Sequence, residues 1–285
     1  MIGIIYNPIA AQGKYKGRMR DFLVLLDSLQ IKYDYRETEK PKEAFDLAKE
    51  LAKTCTTIVP AGGDGTVFEV ITALWGTDVR YCILPYGSGN DAFRSIYGDE
   101  CTDEELLQHM MSESEISVDC ARINDTYTCV SLTSYGFAAD LTKVFKEKGG
   151  SYLSQTVKFL FKVNRRDYTV KIDDTEREVS TEFIFMTNTG CAGGGIRVNK
   201  ECRFDDGFFE LMILHKSSML RRFINFAAIP KGTLYKQPNM ETIRCKECTI
   251  IPHDNKCVNM DGELYDLDHA HIKMVEGGLR FAFNH

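Results

Sequence analysis

Gly62-Gly-Asp-Gly-Thr66, with Pro60 before it and Glu69 after it, is the stretch best equipped for chemistry. Its glycines let the backbone turn sharply and bring bare N–H groups close to an anion. The apolar run Thr56-Thr-Ile-Val59 leads in, and Val67, Val70, Ile71 and Leu74 lead out at helical spacing. The loop therefore joins a strand to a helix expected to start near Thr66. A helix start adds unpaired donors and the positive end of a dipole, both suited to phosphate. Asp64 is the exception, because a carboxylate repels phosphate unless a metal ion or a substrate hydroxyl lies between them. The loop reads as a place where a nucleoside triphosphate, Mg2+ and a reacting group meet. The plain alternative is a glycine turn with Asp64 as a helix cap.

Four further constellations carry reactive groups. Asn7-Pro8 opens a turn that reaches Gly13-Lys14, and Asn7 can bond its own backbone or a ligand. Tyr86-Gly-Ser-Gly-Asn-Asp-Ala-Phe-Arg94 is a second glycine turn after a strand. Arg203-Phe-Asp-Asp-Gly207 offers carboxylates and backbone carbonyls, the oxygen set of Mg2+ or Ca2+, and equally makes a hairpin turn. Asp261-Gly-Glu263 would project Glu263 at a strand end, where a carboxylate can take the proton of an alcohol attacking a γ-phosphate. Asp-Gly is also a common surface turn. Cys245-Lys-Glu-Cys248, with His253 and Cys257, lacks the second pair a zinc site needs and reads as scattered thiols.

The elements that must position these groups come in two styles. Up to about residue 115 strands and helices alternate. Ile2–Tyr6, a strand at Ile31, Tyr33 and Tyr35, the strand before Gly62, and Arg80–Pro85 are separated by helical runs. That order means βαβ units and a parallel sheet, with ligands beyond the carboxyl ends of the strands. All three turns from this half lie at such ends. Thr102 and Glu105 have capping-box spacing and begin an acidic helix. From 116 to 285 the pattern is antiparallel β, with turn signals at Asn124-Asp125 and Asp173-Asp174 and helical inserts near 138–148, 151–164 and 217–229. The expected domains are 1–115 and 116–285.

Composition narrows the partners. Hydrophobic content of 44% and charged content of 27% suit a globular protein. A net charge of -6 argues against nucleic acid, which wants a basic face. The N-terminus runs straight into a strand, without the features of a signal peptide, and no run is long and apolar enough to span a bilayer. The cysteines then read as reduced thiols in the cytoplasm. Two basic and apolar stretches could lie on an anionic bilayer: cations from Lys143 to Arg166 around Tyr152-Leu153, Val157 and Phe159-Leu-Phe161, and Met219-Leu-Arg-Arg-Phe-Ile-Asn-Phe226.

Taken in order, Gly62-Gly-Asp-Gly-Thr66 with Glu69, Pro85-Tyr-Gly-Ser-Gly-Asn-Asp91 with Arg94, Asp205-Asp-Gly207 and Asp261-Gly-Glu263 resemble the diacylglycerol kinase catalytic family. The likeness is to its soluble bacterial lipid kinases, related to sphingosine and ceramide kinases, and runs from Asn7 to about Phe283. It implies an α/β nucleotide-binding domain like that of NAD kinases and phosphofructokinases, a C-terminal β-sandwich, and an active site between them. It implies ATP held by Asn7, Pro8, Thr38, Gly62, Gly63, Asp64, Gly65, Thr66, Glu69, Ser88 and Asn90. Asp64 would serve the catalytic Mg2+ or orient the acceptor, and Glu263 would be the general base. Asp206 would bind a structural Mg2+ with the main-chain carbonyls of Arg203 and Phe208. The acceptor implied is a lipid hydroxyl at a membrane surface, most simply diacylglycerol; a sphingoid lipid or NAD, or a silent nucleotide- or lipid-binding role, are the alternatives. The resemblance leaves room for a homodimer and for peripheral membrane attachment. Phe68 stands where the family commonly has Asn, and Ala11 where the first turn usually has Gly.

Overall fold

The computed structural model describes residues 1–148, 163–229 and 231–284. The apolar positions from Tyr152 to Phe161, Lys158 and Lys162, and nearly all of the helix expected at 151–164, lie outside them. The chain forms two compact units, Met1–Val118 with Gly277–His285, and Asp119–Glu276.

The first unit is a parallel sheet with helices between its strands. Its elements are β1 (Ile2–Tyr6), α1 (Lys16–Ser28), β2 (Tyr33–Glu37), α2 (Glu43–Leu51), β3 (Thr57–Gly62), α3 (Asp64–Ala73), β4 (Arg80–Tyr81), β5 (Leu84–Pro85), α4 (Asp91–Tyr97) and α5 (Asp103–Met111). β1 pairs in parallel with both β2 and β3, and β3 with β4 and β5. β1 and β3 are buried along their whole length, as a sheet covered on both faces requires. Met19, Phe22 and Leu26 of α1, Ala44, Ala48 and Leu51 of α2, and Val67, Val70 and Ile71 of α3 supply the covering faces. α5 opens with the expected capping box, Thr102 and Glu105 each closing on the other's backbone N–H. The tail returns to this unit. Phe281 pairs in parallel with Tyr81, the Tyr97 hydroxyl donates to the Ala282 carbonyl at 3.0 Å, and Tyr97 stacks on Phe283.

The second unit is antiparallel. It contains β6 (Glu115–Ile123, shared with the first unit), β7 (Tyr127–Cys129), β8 (Leu132–Gly136), α6 (Phe137–Lys148), β9 (Arg166–Ile172), β10 (Thr175–Thr181), β11 (Phe183–Thr187), β12 (Cys191–Ala192) and β13 (Ile196–Arg197). It continues through β14 (Phe209–Leu214), α7 (Met219–Ala228), β15 (Met240–Cys245), β16 (Glu247–Pro252), β17 (Cys257–Met260), β18 (Glu263–Asp266) and β19 (Ala270–Ala282, its end belonging to the first unit). One sheet runs β15-β14-β11-β8-β17-β18, and β10-β9-β16-β19 forms the second layer. The rings of Tyr135 and Tyr168, both buried, meet edge to face across the layers at 5.8 Å. Positive φ at Asn124 and Asp125 makes the three-residue turn between β6 and β7, and at Asp173 the two-residue turn between β9 and β10.

Local differences from the sequence reading have physical causes. α3 begins at Asp64, two residues before Thr66. The apolar run over 179–188 is two strands in two sheets, divided at Glu182, whose carbonyl accepts from Phe137 N–H. The run from Tyr127 to Ser134 is likewise divided, because the N–H groups of Val130, Ser131 and Leu132 turn to one carboxylate instead of a strand partner.

Candidate active site

In the first unit the strand order places β1 between β2 and β3, so the chain leaves β1 to one side and returns on the other. This reversal is the topological switch point, where open α/β sheets bind ligands. Asn7 follows β1 and Gly63 follows β3, side by side, since Tyr6 is in register with Ala61. Asn7 Nδ2 donates to Thr66 Oγ1 at 3.2 Å, while its Oδ1 accepts from Ile9 N–H at 3.2 Å. One asparagine thus shapes its own turn and ties it to the start of α3. Thr38 joins the same strand end through its N–H to the Tyr6 carbonyl at 2.9 Å. The first turn also strains: Ala11 and Gln12 both have positive φ, which glycine would adopt freely.

The two glycine loops pack against each other. The Tyr86 N–H donates to the Gly62 carbonyl at 3.0 Å. Asn90, left-handed at the N-cap of α4, accepts from Gly87 N–H at 2.8 Å and donates to the Pro85 and Gly87 carbonyls at 3.1 Å. Asp64 is half-buried in the first turn of α3, and its Oδ1 accepts from the Ala92 N–H at 3.1 Å, bridging to the first turn of α4. Ser88 is exposed at the loop tip, Glu69 is half-buried, and Phe68 is buried at 2% exposure. Tyr86 lies beneath, fully buried and stacked on Tyr15 at 5.2 Å; burial pushes its hydroxyl pKa up. Asn7, Thr38, Gly62 to Thr66 and Ser88 to Asn90 thus gather at the carboxyl ends of the strands.

The contact between the loops leaves no room for a side chain. A Cβ on Gly87 would lie 2.7 Å from Asn90 Oδ1 and 2.9 Å from Gly63 N, and closer still to Gly63 Cα. Gly87→Ala must therefore push the loops apart, at a cost of about 1–3 kcal/mol. The expected result is a lower Tm with at least about tenfold weaker ATP binding, since a shift of the cradle misplaces its donors. Calorimetry and nucleotide titration check this; an unchanged Kd would mean the loop contact does not shape a nucleotide site.

The acidic groups of the second unit divide into different kinds. Asp261 and Gly262, with φ of 44 and 88, form the two-residue turn between β17 and β18, and Glu263 begins β18 opposite Met260. Asp261 is only 7% exposed and accepts three backbone N–H groups, from Val130 at 2.7 Å, Ser131 at 3.0 Å and Leu132 at 2.7 Å. It fixes the hairpin; sequence reasoning missed this, because the partners lie far back in the chain. Glu263 is half-buried beside this anchored turn.

In the Asp205-Asp-Gly207 turn, Gly207 N–H donates to buried Asp119 at 2.6 Å. Asp205 bonds Arg203, whose guanidinium holds that carboxyl below its usual range. Asp206 accepts from Phe208 N–H at 3.1 Å and pairs with Arg244 at 2.7 Å. Arg244 and Lys246 both lie over the Phe208 ring. Asp206 thus has a cationic partner in a partly exposed pair. Among the described residues no group of three or more His, Cys, Asp or Glu side chains is gathered in one place. A single carboxylate at Asp64 does suit a Mg2+ that arrives on nucleotide phosphates and takes its other ligands from them and from water. None of the ten cysteines, Cys245 and Cys248 among them, is in a disulfide.

The model of the diacylglycerol kinase catalytic domain matches residues 1–123, and that of the YegS C-terminal NAD kinase beta sandwich-like domain matches residues 137–281. A protein named diacylglycerol kinase from Staphylococcus saprophyticus is 24% identical over 273 residues, 91% of this chain and 88% of its own length. A protein named "Probable lipid kinase YegS-like" from Enterobacter sp. (strain 638) is 25% identical over 251 residues, 83% of this chain and 82% of its own. A solved structure titled as a diacylglycerol kinase from Bacillus anthracis aligns with a TM-score of 0.81 at 21% identity, covering 99% of this chain and 96% of that one, a likeness of fold. With both of its halves matched by these models, the chain belongs to the diacylglycerol kinase catalytic family, in the form that carries a YegS-type C-terminal domain.

Proposed function

We propose that this protein is a lipid kinase that transfers the γ-phosphate of ATP to the free hydroxyl of diacylglycerol, giving phosphatidic acid. The observation that carries the reading is the meeting of the Asn7, Gly63 and Gly87 turns at the switch point of a parallel sheet, with one carboxylate, Asp64, among them. Family membership supports a lipid acceptor, and the names of the two relatives point the same way.

In this reading the glycine loops, with Asn7, Pro8, Thr38, Glu69, Ser88 and Asn90, hold ATP. N–H groups at the start of α3 face phosphate oxygens. Asp64, with the phosphates, would hold Mg2+, which would supply the charge neutralisation that transfer needs. Glu263 accepts the hydroxyl proton as the hydroxyl oxygen bonds to the γ-phosphorus. The bond from that phosphorus to the β–γ bridging oxygen breaks, and ADP leaves with the bonding pair. Asp206, now paired with Arg244, and the Arg203 and Phe208 carbonyls are the groups that would hold a structural Mg2+.

An acceptor panel tests the reading. Diacylglycerol, a sphingoid base and NAD are each incubated with the protein, labelled ATP and Mg2+, and the products separated. Label is expected in phosphatidic acid. Label in the phosphorylated sphingoid base or in NADP instead would replace the acceptor.

A further inference from the structure

Helix α7 is turned inside out for a helix facing water. Its polar side chains point into the second unit. Arg222 donates to Glu182 at 2.9 and 3.2 Å and to the Val163 carbonyl at 3.1 Å, and Glu182 and Asn225 are both buried. Phe226 turns inward beside them, whereas the helix's other large apolar side chains point out, with Leu220 73% exposed and Met219 and Ile224 each 41% exposed. At 3.6 residues per turn Met219, Leu220, Ile224 and Ala227 share that outer face. A surface helix normally does the reverse. The Glu182–Arg222 pair fixes the rotation, so the apolar face is held outward, and a contiguous exposed patch of this kind marks an interaction site.

The surrounding charge selects the partner. From Lys216 to Lys236 the chain carries Lys216, Arg221, Arg222, Lys231 and Lys236 with no Asp or Glu, in a protein whose net charge is -6. Arg222 is neutralised by Glu182; Lys216, Lys231 and Lys236 are exposed around the helix ends. A second copy of the chain placed on this face would set cationic rim against cationic rim. A bilayer with anionic headgroups matches both parts, apolar face and basic rim.

We propose that α7 is the membrane-docking element, lying in the headgroup layer of an anionic bilayer with Leu220 and Ile224 inserted. The proposal builds on the lipid-kinase reading and names the surface by which the acceptor's membrane is reached. The test is flotation of the full chain with vesicles of equimolar phosphatidylcholine and phosphatidylglycerol, comparing wild type with the Leu220→Glu, Ile224→Glu double variant. Both sites are exposed, so the variant should keep the wild-type Tm. Wild type is expected to float with anionic vesicles and to be released by salt. The variant should bind at least about tenfold more weakly, and should phosphorylate a water-soluble short-chain diacylglycerol at the wild-type rate while losing long-chain diacylglycerol in vesicles. Equal flotation of the two proteins overturns the proposal. So does a wild-type dimer that the variant converts to monomer without vesicle binding, which would assign the face to a second copy. Failure of both proteins on short-chain lipid would sink the kinase reading instead, and flotation would still decide the docking.

Discussion

Glu263→Gln lowers kcat for lipid phosphorylation by about 10²–10⁴-fold while the KM for ATP and the Tm stay near wild type. The substitution keeps the side chain's size and one carbonyl oxygen but removes the basic oxygen that takes the proton. Glu263 is half-buried and begins β18, next to a turn whose geometry is set by the buried Asp261. Steady-state kinetics with saturating ATP check this. Activity within about threefold of wild type would remove Glu263 from the role of base, because general-base catalysis contributes far more than that.

Two residues earlier the expectation reverses. Asp261→Ala destabilises the protein by about 3–5 kcal/mol, a Tm shift on the order of 10 °C, because it strands three buried N–H groups at once. Those groups, on Val130, Ser131 and Leu132, lie between β7 and β8 and have left the strand ladder for this carboxylate. Thermal unfolding followed by calorimetry measures the loss. A Tm within about 2 °C of wild type would mean water replaces the carboxylate at little cost. The pair of variants separates two carboxylates of one short motif, one for chemistry and one for architecture.

That separation marks where the sequence stops being legible. Asp-Gly-Glu announces a tight turn with two acids, but nothing local says which acid is buried, because Asp261's partners lie about 130 positions back. The glycine loops were readable for the opposite reason. Strand, glycines and helix follow one another within a few residues, and βαβ order places each loop at a carboxyl end. The register that sets Asn7 beside Thr66 could not be read, since it depends on which strand lies next to β1. The return of Phe281 to Tyr81 and the change of sheet at Glu182 are long-range pairings of the same kind. Helix α7 was legible as a helix with mixed basic and apolar character, yet its outward apolar face was not. Periodicity reports that two faces differ, and only the buried Glu182 fixes which one looks inward.

The most direct test of the central claim measures ADP and phosphatidic acid together, with diacylglycerol as the sole acceptor and Mg2+ present. The account predicts one ADP released for each phosphatidic acid formed, at a rate proportional to enzyme. Folded protein that binds ATP yet forms no phosphorylated lipid, or that releases ADP without it, would contradict the account.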